Sequence, residues 1–518
     1  MQQPPETASQ AVESAMDTPA SPLPAFAMRG VGRHTLIYGL GIVLSRSISL
    51  LMMPVYTRYL TPADYGIMAL IEMTLDLVSI VAGAQLVVGI FRYYHKTDSE
   101  EEREAVVSTS FFALATSYAL VGSIAFLLAG PIARLLFPMG AHADTHAGLI
   151  RIAAGSLAFQ SLTMVPLAYA RVQERSTLFV VATLSRLLLS VALAVLFLVV
   201  MGLGVRGVFL ATLVTNIFIG TALGAWIVRR VGVNFAPDSV RDLFRYGLPL
   251  MVTQVASFVL TFADRYFLQR AADETAVGLY NLGYQFGFLL QIVGFTPFDM
   301  VWGPKRFEIA KRPDRDEILS RGFRYLNVGL ITVAVGISLL VGDVLRIMAT
   351  PPFYSAANIV HIILVAYILQ CWTIAQDIGI LVSERTKFVT YASWTAAGAA
   401  LIAYALLIPP FGAWGAATAT VIAFTVRYGL TYYFSQRLFP IRYDWAPIVR
   451  LLVLATAVAA AGLLLPDMPV IASLAARAVL VGVYGLVLWR GNILTTDERK
   501  VVLATAAGLI GMARRRGR

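Results

Sequence analysis

Thr57-Arg58-Tyr59-Leu60-Thr61-Pro62-Ala63-Asp64-Tyr65-Gly66-Ile67 joins two membrane-length apolar runs that extend from about Gly32 to Arg92. Thr61 is placed to cap a helix, Pro62 to open it, and Asp64 to set a carboxylate against the free amides of the first turn. The stretch therefore restarts a helix after a sharp reversal. Each arm is long enough to cross a hydrocarbon core of about 30 Å, yet each carries charge in its middle: Arg46 in the first, Glu72 and Asp76 in the second. Antiparallel helices rising about 1.5 Å per residue from this turn bring Arg46 and Asp76 to similar depth, so the two can pair. Such a pair either pins the helices together as a neutralised unit or belongs to a substrate or coupling site.

Working outward from the hairpin, composition sets the class. The 518-residue chain is 58% hydrophobic and only 14% charged, with a mean hydropathy of +0.73, whereas a soluble protein of this length must clothe its surface in polar groups. It reads as an integral membrane protein. The net charge of +11 does not point to nucleic acid, because the basic residues fall mostly in short loops between apolar runs, where they orient spans. Cys371 is the single cysteine and lies inside an apolar run, which leaves no intrachain disulfide and reads as packing. Residues 1–28 are rich in Gln, Pro, Ser and Ala, without the basic start and apolar centre of a signal peptide, and are expected to form a disordered cytoplasmic tail.

Apolar runs of about 20 residues recur with centres near Ser45, Ser79, Ala119, Gln160, Leu189, Thr215, Ser257, Gly287, Val335, Val365, Gly398, Ala423, Ala455 and Leu480. The expected fold is all-α, with about fourteen transmembrane helices. A count of twelve would require two of the last runs, weakened by Pro466 and Pro469, to merge or drop out. The segment from Thr495 to Arg518 reads as an interfacial helix. Lys and Arg are concentrated in the loops on the side of the N-terminus, so both termini are expected to be cytoplasmic.

An internal repeat runs through the chain at an offset of about 210 residues, as between Glu174-Arg175-Ser176 and Glu384-Arg385-Thr386. Gly204-Val205-Arg206-Gly207 corresponds to Gly412-Ala413-Trp414-Gly415, Tyr38-Gly39 to Tyr246-Gly247, and Tyr65-Gly66-Ile67 more loosely to Val277-Gly278-Leu279. Six spans per copy is an even number, so the copies share an orientation about an axis along the membrane normal, the plan of a two-lobed alternating-access carrier. The expected division is a tail (1–28), an N-terminal lobe (29–235), a C-terminal lobe (236–440), two further helices (441–492) and a basic tail (493–518).

Several motifs take ordinary readings. Gly202-Leu203-Gly204-Val205-Arg206-Gly207 fits a dinucleotide fingerprint as a string but follows no strand, so it reads as a tight turn. The glycine pairs Gly220/Gly224 and Gly283/Gly287 are spaced for close helix packing. No Gly-Lys dipeptide occurs, which excludes the phosphate-cradling loop of an ATPase. Asp314-Arg315-Asp316 resembles a metal-binding acidic pair without a soluble domain to build a site. His142, Asp144 and His146 lack a further ligand and read as solvated loop residues. No metal and no cofactor is expected.

Arginine stands at helix ends and within spans: Arg46, Arg58, Arg92, Arg186, Arg265 and Arg427. Its planar, always-charged fork suits recognition of a diphosphate inside a membrane cavity, while pairing or snorkelling is the structural alternative for each residue.

The hinge from Thr57 to Ile67, Arg92-Tyr93, Asp264-Arg265 and Val277-Gly278-Leu279-Tyr280 together resemble the bacterial oligosaccharide flippases, the polysaccharide-transporter branch of the multidrug and lipid-linked oligosaccharide exporter superfamily. The likeness covers about Gly30 to Pro440. It implies a non-enzymatic inner-membrane carrier with two lobes around a cationic cavity. Its substrate would be undecaprenyl-diphosphate-linked sugar units, moved from the inner to the outer leaflet for O-antigen, capsule or exopolysaccharide. It also implies polymerase and chain-length partners. On this reading Arg46, Arg58, Arg92 and Arg265 receive the headgroup phosphates, and Glu72, Asp76 and Asp264 are coupling or counter-charges. In the first span only Arg46 is deep, whereas the peptidoglycan-precursor flippases of the superfamily carry a denser arginine set there. Two alternatives remain: a cation-coupled multidrug antiporter of the same fold, using Glu72 and Asp76, and a membrane polysaccharide polymerase or ligase, for which the large outer catalytic loop is missing.

Overall fold

The computed structural model describes residues 52–83, 86–96, 99–138, 143–234, 237–466 and 468–491. The first expected span, centred near Ser45, and the interfacial helix expected from Thr495 lie outside the described residues. Among those residues there are helices and no strands, and eleven helical segments are long and apolar enough to cross a membrane. The first half contains α1 (Met53–Tyr59), α2 (Pro62–Val81), α3 (Leu86–Lys96), α4 (Glu100–Leu127), α5 (Ala129–Leu136), α6 (Ala143–Val172), α7 (Ser176–Val195) and α8 (Gly204–Val231). The second contains α9 (Pro237–Ala271), α10 (Glu274–Leu290), α11 (Thr296–Ile309), α12 (Arg315–Met348), α13 (Ala357–Gln376), α14 (Ile378–Val382) and α15 (Lys387–Leu438). Two more helices follow, α16 (Trp445–Leu463) and α17 (Val470–Arg490). The long α15 is two arms folded about Gly412, whose φ of 53° and ψ of −128° are not helical.

The turn of the hairpin, Thr61 to Asp64, folds as its sequence predicts. The Thr61 hydroxyl accepts the Asp64 amide at 3.2 Å, and the Asp64 carboxylate accepts the Thr61 amide at 2.9 Å, a reciprocal cap with Pro62 at the first helical position. The arm that follows is not the single run to Arg92 that its hydropathy suggests. It ends at Val81, turns through Gly83 at φ +101°, and restarts as α3 at Leu86. Glycine accepts that backbone sign without steric cost, so it ends a helix inside an otherwise continuous apolar run.

The repeat is written in the backbone. Glu174 and Glu384 are the non-glycine residues with positive φ among the described residues, at 54° and 55°. After each, the arginine amide reaches back five residues, Arg175 to the Ala170 carbonyl at 2.8 Å and Arg385 to Ile380 at 3.1 Å. Both turns therefore close a helix with the same left-handed cap. Gly204 and Gly412 match as well, at φ 55° and 53°.

The halves meet where α2 crosses α10. A methyl group on Gly66 would stand 1.9 Å from the Glu274 carbonyl oxygen, and one on Gly278 would stand 1.9 Å from that of Pro62. The contact is reciprocal because the two positions correspond in the repeat. Only the missing side chains let the two backbones approach this closely. At the same end the Thr57 hydroxyl donates to the Met348 carbonyl at 3.2 Å, the Thr350 hydroxyl donates to the Thr57 carbonyl at 2.8 Å, and Tyr65 stacks edge-on against Phe353. The halves touch again at the far end, where Leu86 lies against Gly247. Helix α17 docks on α12 through the fully buried Asp343, which accepts from Arg477 at 2.8 Å and Ser473 at 3.0 Å.

Candidate functional site

Between the two contact zones lies a cavity of about 530 Å³. The first half contributes Met52, Tyr56, Tyr65, Met68, Glu72, Met73 and Asp76 from the hairpin, with Leu187, Ser190 and Val191 from α7. The second contributes Phe262 from α9 and Asn281, Gln285, Phe288 and Leu289 from α10. Glu72 and Asp76 stand one helical turn apart on α2, both open to the cavity. Among the described residues they are its only charged lining, and neither receives a hydrogen bond or an ion pair from them. Two like charges at this spacing repel, and a low-dielectric wall strengthens the repulsion. The cavity face of α2 thus presents two carboxylates without a counter-charge among the described residues.

The Asp264–Arg265 pair has the opposite environment. Both residues are fully buried. One carboxylate oxygen of Asp264 accepts the Arg265 amide at 3.0 Å and its guanidinium at 2.7 Å. The other accepts the Tyr280 hydroxyl at 2.6 Å and the Thr420 hydroxyl at 3.3 Å. The guanidinium carbon sits 3.8 Å from the centre of the Tyr284 ring, and Nη1 also donates to the Thr261 carbonyl. Phe262 and Phe288 line the cavity, with Arg265 directly behind Phe262, so an aromatic wall separates the pair from the open space.

The other sequence-predicted residues are scattered. Arg58 is exposed at the end of α1, beside the hairpin turn. Arg92 falls within α3, but its side chain lies outside the described residues, as does all of Arg46. Asp314 makes a two-pronged surface pair with Arg312 at 2.8 and 2.7 Å, which gives that acidic cluster an ordinary role. His146 is buried against Phe137, Asp144 is exposed, and His142 lies outside the described residues. Cys371 is buried.

Two features escaped sequence reasoning: the amides of α10 and the partner of Arg186. Asn281 and Gln285 bring amides from α10 to the cavity; they and Phe288 share one helical face, a spacing present in the sequence but indistinct among apolar neighbours. In the first half, Arg186 on α7 donates to the Asn216 amide oxygen at 3.2 Å.

The family described as polysaccharide biosynthesis protein matches residues 31–309, more than half of the chain. The chain belongs to that family. Solved structures share the fold of this polysaccharide biosynthesis protein. Lipid II flippase MurJ in an inward closed conformation superposes with a TM-score of 0.71 at 14% identity, over 89% of this chain and 100% of that one. An inward-facing multidrug resistance MATE family transporter of the MOP superfamily gives 0.58 at 16%, over 79% and 96%. A MOP superfamily transporter from Pyrococcus furiosus gives 0.54 at 15%, over 81% and 96%. A search of curated protein sequences finds no match. The fold is that of a multi-pass helical membrane protein, one it shares with solved flippases and transporters.

Proposed function

We propose that this protein is a flippase for undecaprenyl-diphosphate-linked oligosaccharides, working in the bacterial inner membrane with both termini cytoplasmic. What carries the reading is membership of a polysaccharide biosynthesis family on a fold whose cavity lies between two repeat halves. The polyprenyl tail stays in lipid while the sugar passes through the cavity, and the α2–α10 crossing acts as the gate toward the outer leaflet. Arg46, Arg58 and Arg92 mark the headgroup path along the hairpin. Arg265 meets the substrate only when the Phe262–Phe288 wall parts, with Asp264 as its counter-charge until then.

Energy follows from charge. A headgroup bearing about two negative charges gains roughly 2.3 kcal/mol per charge per 100 mV on moving outward across an inside-negative membrane. Glu72 and Asp76 oppose its entry while ionised, so a cation or proton on that pair precedes loading. Deletion of the gene is expected to accumulate lipid-linked repeat units on the inner leaflet, measured by leaflet-selective labelling. Normal surface polysaccharide in that strain would sink the proposal.

A second reading, cation-coupled export of cationic drugs, is favoured by one observation, the acidic lining of the cavity. It predicts that the same deletion sensitises cells to cationic dyes and leaves surface polysaccharide unchanged.

A further inference from the structure

Each of three deep arginines has a carboxylate in contact: Arg265 with Asp264 at 2.7 Å, Arg306 with Asp377 at 2.9 Å and Arg477 with Asp343 at 2.8 Å. Arg186 has none among the described residues. It lies near the middle of the membrane segment Ser176–Val200, and its one hydrogen bond among the described residues is to the neutral amide of Asn216. That amide is itself fixed, being 2% exposed and donating to the Ser156 carbonyl at 3.4 Å. A guanidinium carries five N–H donors, so most of the fork remains available. A cation at this depth with only a dipole for company is costly, and such residues persist where a ligand supplies the missing charge.

Its position fits that role. Ser190, one helical turn further along α7 on the same face, and the adjacent Leu187 both line the cavity. Arg427 in the second half is likewise held by an amide, Gln370 at 3.0 Å, but no residue of its helix lines the cavity. We infer that Arg186 is a further residue of the first half that binds the diphosphate of the lipid-linked substrate, with Asn216 holding its fork in place until the anion arrives. This rests on the flippase reading and names a contact within it. It also sets a positive charge one helical turn from Ser190, beside a cavity whose own charged lining is acidic. The carboxylates of α2 discourage the anion while ionised, and Arg186 attracts it once they are neutralised.

The test uses the full-length protein in detergent with farnesyl diphosphate as probe, titrated by calorimetry, and farnesol and inorganic pyrophosphate as separate arms. Wild type is expected to bind farnesyl diphosphate and to ignore farnesol. Arg186→Gln should weaken binding at least tenfold, and Arg186→Lys should restore part of it, since an ammonium supplies charge without the planar fork. Asn216→Asp separates ligand binding from packing. It places a carboxylate beside an intact arginine, so a merely structural Arg186 would leave binding untouched, whereas the assignment requires at least a tenfold loss in a protein that still elutes as a single species. Unchanged binding in both Arg186→Gln and Asn216→Asp overturns the assignment of Arg186 and leaves the flippase reading intact. No binding by wild type overturns both. Pyrophosphate bound as tightly as the isoprenoid overturns the lipid-linked substrate.

Discussion

Two acidic sites face each other across the Phe262–Phe288 wall, and they solve the problem of a carboxylate in a membrane protein in opposite ways. On the buried side, Asp264 has a partner for every lone-pair direction: a backbone amide, a guanidinium, a phenol and an alcohol. On the cavity side, Glu72 and Asp76 have each other and no counter-charge among the described residues. The partners of the Asp264 carboxylate tie helices α9, α10 and α15 together. The α2 carboxylates are left to solvent in the cavity. The comparison sorts the sequence's charged residues into a buried, hydrogen-bonded pair and an open, unpaired one.

The sharpest way to break the comparison is to remove one partner of the buried pair. Asp264→Ala leaves the Arg265 charge uncompensated in a dry environment, an effect of about 3–5 kcal/mol. Folded protein recovered from membranes should fall steeply, read by size-exclusion yield and thermal melting in detergent. The double variant Asp264→Ala, Arg265→Met should recover most of that loss, because the two residues contribute as one neutral unit. A single variant as stable as wild type would show that the pair is not structural.

The cavity carboxylates should behave in reverse. Glu72→Gln with Asp76→Asn removes a repulsion and leaves no charge stranded, so melting should stay level or rise slightly, by a few tenths of a kcal/mol. Flipping in proteoliposomes should drop about tenfold or more and lose its response to an imposed ion gradient. Retained gradient dependence would move the coupling site elsewhere.

How much of this was legible beforehand depends on the range of the interaction. The reciprocal cap at Thr61 and Asp64 involves neighbours in sequence, and the residue types announce it. The repeat could be read because Glu174 and Glu384 close their helices with the same turn, a local event preserved in both copies. The break at Gly83 was hidden, since one glycine in an apolar run has no signature apart from its backbone angle. The fate of Arg265 was hidden for a different reason. Its cage comes from Tyr280 and Tyr284 on α10 and Phe262 one turn away, with Thr420 on α15 bonding its partner Asp264, and helices that are apolar all round do not reveal which face meets which neighbour. Asn281 and Gln285 stayed unread because neither carries a charge to mark it.

The smallest effects test whether satisfaction at Asp264 is graded. Tyr280→Phe deletes a 2.6 Å hydrogen bond to the carboxylate and leaves the ring in place, so it isolates one partner out of four. The expected loss is about 1 kcal/mol, because the remaining three donors still hold the charge. Thr420→Val deletes a contact of 3.3 Å to the same oxygen and keeps the shape of the side chain. Bonds at that length contribute less, so the loss should fall below that of Tyr280→Phe, with a melting shift of a degree or two. Combining the two leaves that oxygen without a donor. If the oxygen's satisfaction is what matters, the double variant should cost more than the sum of the singles, since the last donor removed is the most costly one. Additive losses in the melting series would mean that Tyr280 and Thr420 contribute through packing alone, and the contrast with the open carboxylates of α2 would then rest on Arg265.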